Sequence, residues 1–260
     1  MSVKYELDGE IAVITLDRPE SFNAITAELS AHLVDGMSRA GQEARVAVIT
    51  GAGRAFCAGA DLGEIAAGYE KSGPDLGSVL DEHFHPAMNS LVNATIPTVA
   101  AVNGVAAGAG LGLALACDLR VMSSTSFMIS AFAGIGLAPD SGTTWSLPHH
   151  VGVSKALEIT LTNRKVEAAE ALALGLCLDV VEPDELMDSA RDLAKKLADM
   201  VPDSLVTTRH LVRSASSKGF DDALADERRE QHRLGKTPEH AEGVAAFLAK
   251  RKPDYRNLRK

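Results

Sequence analysis

Two glycine- and alanine-rich segments carry the residues best suited to chemistry: Thr50-Gly51-Ala52-Gly53-Arg54-Ala55-Phe56-Cys57-Ala58-Gly59-Ala60-Asp61 and Asn103-Gly104-Val105-Ala106-Ala107-Gly108-Ala109-Gly110-Leu111-Gly112. Each follows an apolar run and leaves backbone N–H groups clear of side-chain bulk. The second opens into a helical run ending at Cys117-Asp118, so its first amides lie at the positive end of a helix dipole. Such N–H groups can hold an oxygen that becomes negative during a reaction. The same composition also serves tight backbone packing, and for either segment alone that plainer role is favoured. One acid, Asp140, stands in Gly136-Leu137-Ala138-Pro139-Asp140-Ser141-Gly142. By residue type it suits the N-cap of a helix over 142–147 as well as proton transfer.

These segments need strands to carry them and helices to brace them. The run Ile11-Ala12-Val13-Ile14-Thr15 returns as Val46-Ala47-Val48-Ile49-Thr50 and, more loosely, as Thr98-Val99-Ala100-Ala101-Val102. Continuous β-branched runs bounded by turn residues suit strands buried on both faces. Leu29, Leu33 and Met37 share one helical face after Asn23, and Leu76, Val79 and Leu80 begin a second helix beyond Pro74. From about Ser154 the pattern is mostly helical. Leu186, Ala190, Leu193 and Leu197 recur at helical spacing, residues 205–212 follow Pro202, and 220–234 is charged and amphipathic. Thr237-Pro238 supplies the cap and first-turn proline of a last helix through Val244, Phe247 and Leu248. The expectation is an α/β core over 1–200 and a helical region over 201–260, with no flexible linker between them.

Composition narrows the ligand. The 260 residues carry 26 Lys+Arg against 35 Asp+Glu, a formal net charge of −9, which is the reverse of the balance that phosphate-reading proteins show, so no nucleic acid is expected. A small anion needs only local donors and remains acceptable. With aromatics at 4%, the core must be built mainly from Ala, Val, Leu and Ile. Cys57, Cys117 and Cys177 are odd in number, far apart and without a CxxC, which suits buried thiols in a reducing compartment. No signal-like segment opens the chain, and the apolar run 105–117 is shorter than the ~20 residues of a membrane helix. A soluble, cytoplasmic protein is expected. His149 and His150 are adjacent, splay apart and lack a third ligand, so no metal is expected. A dinucleotide-binding loop is excluded too. Thr50-Gly51-Ala52-Gly53-Arg54 follows the second strand rather than the first, and Phe56 or Cys57 replaces its third glycine.

Together the two segments are far more specific than either alone. Phe56 to Asp61 and Asn103 to Gly110, with Cys117-Asp118 behind them, resemble the crotonase (enoyl-CoA hydratase/isomerase) superfamily. Arg18-Pro19 before Asn23-Ala24, the 136–142 segment and Glu242-Gly243-Val244 through Phe247-Leu248-Ala249-Lys250-Arg251 match as well, so the resemblance spans nearly the whole chain. It implies a spiral of ββα units, a C-terminal helical trimerisation region, and a homotrimer or dimer of trimers. The implied ligand is an acyl-CoA thioester, with coenzyme A entering as part of the substrate and no separate cofactor. The implied oxyanion hole is the backbone amides of Ala58 and Ala109. Phe22, Ala60, Leu62, Gly108 and Phe132 are implied to line the substrate site, with Asp61 beside it as substrate contact or helix cap. Arg18 and Lys250 or Arg251 are implied near the coenzyme A phosphates, the last two from a neighbouring subunit. Trp145 suits either an aromatic acyl pocket or the core.

Hydratases of this superfamily carry two glutamates that activate a water, and this chain has Gly112 and Phe132 at those places. Ser130 to Gly142 instead resembles the branch that isomerises CoA thioesters in bacterial phenylacetate breakdown, which rearranges an epoxide to an oxepin. In that branch the aspartate after the proline is the acid/base, which points to Asp140. The expectation is an acyl-CoA isomerase. The alternatives are an enoyl-CoA hydratase that recruits Glu64 or Glu82, and a non-catalytic CoA-binding protein.

Overall fold

The computed structural model describes residues 1–66, 73 and 75–258. A strand–strand–helix unit repeats along it. Strands β1 (Val3–Asp8) and β2 (Ile11–Leu16) lead to helix α1 (Ala27–Glu43). Strands β3 (Val46–Gly51) and β4 (Ala55–Cys57) lead to α2 (Leu62–Ala66), α3 (Leu76–Val79) and α4 (His85–Val92). Strands β5 (Thr98–Val102) and β6 (Val105–Ala107) lead to α5 (Ala109–Ala116), and β7 (Leu119–Ser123) and β8 (Phe127–Ile129) lead to α6 (Thr143–Thr162). Then come β9 (Lys165–Glu167), α7 (Ala168–Ala173), β10 (Asp179–Val181) and α8 (Leu186–Ala198). Helices α9 (Pro202–Ala215), α10 (Phe220–Leu234) and α11 (Pro238–Leu248) complete the chain.

From β3 onward the two strands of each unit part company. The first joins a sheet ordered β1-β2-β3-β5-β7-β10, and the second joins a sheet ordered β4-β6-β8-β9. The β-branched runs are parallel neighbours: β2 pairs with β3, β3 with β5, and β5 with β7. Alternation explains their continuous hydrophobicity. Ala12, Ile14, Ala47, Ile49, Ala100 and Val102 face the main core with α1 and α5. The intervening Ile11, Val13, Val46, Val48, Val99 and Ala101 face α8 through Leu186, Ala190, Ala194 and Ala198.

Capping sets the helix starts. Thr26 Oγ1 accepts the Leu29 N–H at 3.1 Å to open α1, and Thr237 Oγ1 accepts the His240 N–H at 3.2 Å to open α11. Pro74, expected just ahead of the second helix, lies outside the described residues. That helix begins at Leu76, capped by Asp75 accepting from the Ser78 N–H at 3.1 Å, and passes through a π-turn (Leu80–Phe84) into α4. Cys57, Cys117 and Cys177 are buried and unbridged. No helix among the described residues is long and apolar enough to cross a membrane.

The C-terminal helices are tied to the core through Asp118, just after α5. Its carboxylate accepts from the Thr98 N–H at 2.9 Å and pairs with Arg209 at 3.0 Å and Arg213 at 3.3 Å, both on α9. Removing one charge from a buried network leaves the others without compensation. Asp118→Asn is therefore expected to cost about 3–5 kcal/mol in urea unfolding, and a loss below ~1 kcal/mol would show the pairs to be dispensable.

Candidate active site

Strands β4 and β6 pair in parallel, Ala55 opposite Val105 and Cys57 opposite Ala106. The two glycine-rich segments therefore leave the same end of the same sheet side by side. They come closer than side chains would allow. A methyl group on Gly59, whose φ is +95°, would lie 2.8 Å from the Ala107 carbonyl oxygen and 3.4 Å from the Ala109 nitrogen. One on Gly110 would lie 2.2 Å from the Cys57 carbonyl oxygen. Glycine is required at both positions by backbone contact.

The first expected donor, Ala58, is corrected by the structure: its N–H already donates to the Phe22 carbonyl at 3.0 Å. Two residues on, the chain runs parallel to Ile25, which donates to Gly59 at 2.7 Å and accepts from Asp61 at 2.9 Å. Peptide groups on an extended segment alternate in direction, so the intervening Ala60 N–H turns away from Ile25. It has no acceptor among the described residues, and neither has Ala109, the first residue of α5. Ala60 and Ala109 both border a cavity of about 490 Å³. The pair of available amides is thus Ala60 and Ala109, the second at a helix N-terminus.

The rest of that cavity is largely apolar, with Leu62, Val79, Phe84, Phe132 and Leu137 among its walls and Gly108 on its floor. Asp140 is its one described carboxylate. The cap alternative for Asp140 fails. Gly142, with φ of 75°, is the N-cap of α6, Thr143 donates to the Asp140 backbone carbonyl at 2.9 Å, and no backbone N–H among the described residues donates to the Asp140 carboxylate. That carboxylate accepts from the Ser141 hydroxyl at 2.8 Å. Burial pushes it above the ordinary aspartate range, while the Ser141 hydroxyl and the nearby His85 imidazole pull it down without cancelling the effect. Gly112 stands one helical turn after Ala109 and faces the same segment. A methyl group there would lie 2.5 Å from the Ser141 carbonyl oxygen and 3.2 Å from Thr143 Oγ1.

Comparison with known proteins agrees with this geometry. A family model described as enoyl-CoA hydratase/isomerase matches residues 6–258. The chain belongs to the enoyl-CoA hydratase/isomerase family. It is 39% identical over 254 residues to a Rhodobacter capsulatus protein named "Probable enoyl-CoA hydratase", covering 98% of this chain and 97% of that one. It is 35% identical over 247 residues to the 1,2-epoxyphenylacetyl-CoA isomerase of Escherichia coli, covering 94% of each. The crystal structure of an enoyl-CoA hydratase from Polaromonas sp. JS666 superimposes with a TM-score of 0.92 at 34% identity, covering 98% of this chain and 99% of that one. The ββα spiral is therefore the crotonase fold.

Several expected residues lie elsewhere in this enoyl-CoA hydratase/isomerase fold. Arg18 donates to the Ala24 carbonyl at 2.7 Å and to Asp61 at 2.9 Å, so its guanidinium braces the first turn instead of lining the cavity. Asp61 caps α2, accepting from the Gly63 N–H at 3.0 Å. Burial opposes its charge, but Arg18 and the Gly63 and Glu64 amides hold its carboxyl below the usual range. Phe22 lies outside the cavity lining, under the Arg54 guanidinium at 4.4 Å, and contributes its carbonyl. Trp145, 48% exposed, belongs neither to this cavity nor to the core, but to a separate groove beside α9 with His149 and His150. His149 bonds Ser216 at 3.1 Å, and His150 is pushed down to about 4 by burial and by Arg120 and Arg213. Lys250 follows α11 and is absent from its own chain's cavity. Glu64 and Glu82 line a separate acidic recess with Asp61 and Asp75. His85 was missed because nothing in the sequence marks it as a neighbour of Asp140, and Ser141, although adjacent in the chain, was missed because its hydrogen bond back to the carboxylate depends on the local turn.

An aspartate whose folded-state pKa is raised contributes stability that is full below the ordinary aspartate range and is lost as pH rises through the folded value. Asp140→Asn removes that loss. Calorimetric melting of the variant at pH 7 is expected at or above wild type, with the gap closing as pH falls toward the ordinary aspartate range. A variant that melts well below wild type at pH 7 would make Asp140 a structural residue.

Proposed function

We propose that this chain is an acyl-CoA isomerase. One observation carries it: Asp140 is the described carboxylate that shares the cavity with the Ala60 and Ala109 amides. The two places where hydratases hold their water-activating acids are Gly112, with no room for a side chain, and Phe132, which is 6% exposed. The relative named 1,2-epoxyphenylacetyl-CoA isomerase supports the same choice.

In this mechanism the thioester oxygen accepts from the Ala60 and Ala109 N–H groups. Loss of a proton from the α-carbon then places negative charge on that oxygen, where two preformed donors and a helix dipole stabilise it. Asp140 takes the proton and returns it to another atom of the same acyl group, moving a double bond or assisting the opening of a strained ring. Its raised pKa brings it closer to neutral pH, which suits a group that must both accept and donate. The proton is returned and no electrons leave the substrate, so the step needs no redox cofactor.

The assembly belongs to the same proposal. Phe247 and Leu248 are 82% and 76% exposed at the end of α11, which fits a subunit interface of a homotrimer or dimer of trimers and brings Lys250 toward a neighbour's coenzyme A phosphates. Three buried thiols fit a reducing, cytoplasmic compartment.

Migration of the double bond in a β,γ-enoyl-CoA, assayed beside hydration of crotonyl-CoA, tests the choice. Wild type is expected to isomerise and to hydrate poorly, and Asp140→Asn to lose isomerisation by about 10²-fold or more. Robust hydration by wild type, or normal turnover by the variant, overturns it. The donor at Ala109 has its own test, since proline is tolerated at the first position of a helix and replaces the N–H by a ring carbon, removing the donor and occupying its place. Ala109→Pro is expected to lower kcat by about 10²–10³-fold with an unchanged circular dichroism spectrum.

A further inference from the structure

We propose that Ser141 is the positioning residue of this site: its hydroxyl fixes Oδ1 of Asp140, leaving Oδ2 to carry the proton, while Gly112 locks its backbone in place. The proposal rests on the isomerase reading above and extends it from the acid to what aims the acid.

Ser141 is buried, at 3% exposure, and its φ of +51° is a conformation that a serine adopts only when its surroundings hold it there. Its Oγ lies 2.8 Å from Asp140 Oδ1. A carboxylate offers that hydroxyl only an acceptor, so the hydroxyl must donate, and Oδ1 is thereby occupied. On its other side, Ser141 rests against α5 at Gly112. A methyl group at Gly112 would meet the Ser141 carbonyl oxygen at 2.5 Å and its Cβ at 2.8 Å. Gly112 is three residues after Ala109, in the first turn of α5. One rigid turn of helix therefore carries the Ala109 amide that faces the substrate oxygen and the surface on which Ser141 rests. The distance between oxyanion donor and proton carrier is set through this contact. Thr143, fully buried beside it with a hydroxyl that has no partner among the described residues, closes the far side.

Two consequences separate this role from ordinary packing. Removing the hydroxyl should raise the Asp140 titration, because a hydrogen bond to the charged form is lost. It should also lower kcat rather than raise KM, because the thioester is held by the backbone amides. His85 on α4 is the titratable group that acts on Asp140 from the opposite element, and it is present in every variant proposed here.

The test is a ¹³C-carboxyl titration of Asp140 in the free protein, beside pH–rate profiles on a β,γ-enoyl-CoA. Ser141→Ala is expected to shift the Asp140 midpoint upward by roughly 0.5–1 unit and to lower kcat about tenfold with KM nearly unchanged. Ser141→Gly, which accepts the same backbone conformation without strain, should do the same if the hydroxyl is what matters. Gly112→Ala keeps the hydroxyl but displaces its backbone, and should reproduce both effects. An Asp140 midpoint and pH profile unchanged in Ser141→Ala and Ser141→Gly would overturn the proposal. The titration does not depend on which acyl-CoA the site takes. Normal turnover by Asp140→Asn would instead defeat the isomerase reading and leave the titration result standing.

Discussion

Two stretches of backbone in van der Waals contact, at Gly59 and at Gly110, are what the rest of the molecule is arranged around. A methyl group at either glycine would collide with a carbonyl oxygen of the other segment. The short parallel pairing of β4 with β6 brings the stretches together, and the larger sheet, buried on both faces, holds that pairing from behind. Beside this contact, the Ala60 and Ala109 amides have no acceptor among the described residues. Unpaired buried donors are costly in a folded protein, and here they border a cavity where a ligand oxygen can satisfy them. The chain thus stores its binding function in backbone geometry, which tolerates changes of side chain but not of close approach.

Asp140 completes the site under a different constraint. Its carboxylate faces an apolar cavity, and burial raises its pKa against the pull of Ser141 and His85. The residues that follow it press on Gly112, so the turn that presents Asp140 occupies the volume that a side chain on α5 would need.

The helical C-terminal region is tied to this core by charge rather than by a broad apolar seam. Asp118 leaves the end of α5 and meets Arg209 and Arg213 of α9, while Arg120 is buried against the carbonyls of Cys117 and Leu176. Both ends of α5 are therefore in use: its first amide borders the cavity and the residue after its last turn anchors the final helices. Val244, Phe247 and Leu248 of α11 remain exposed, beside a groove they line with Thr207, Thr208 and Leu211 of α9.

Much of the fold was legible in the residues. The β-branched runs at Ile11, Val46 and Thr98, the cap at Thr237, and the paired glycine-rich segments all express local rules of periodicity, capping and bulk. Asp140 and the Ala109 amide were singled out by the resemblance of their segments to the crotonase superfamily. The tertiary structure decided what local pattern cannot express. Ala58 and Ala60 are indistinguishable by type, and only the pairing with Phe22 and Ile25 determines which amide is spent and which is free. Asp140 could have capped α6, but the left-handed turn at Ser141 and Gly142 carries its side chain away from the helix start. Arg18 and Trp145 could have met the ligand, yet one is spent on Asp61 and the other lies beside α9. Sequence determines which groups exist and what each can do. Which of them remain unpaired and share a cavity depends on contacts between residues far apart in the chain, and those exist only once it has folded.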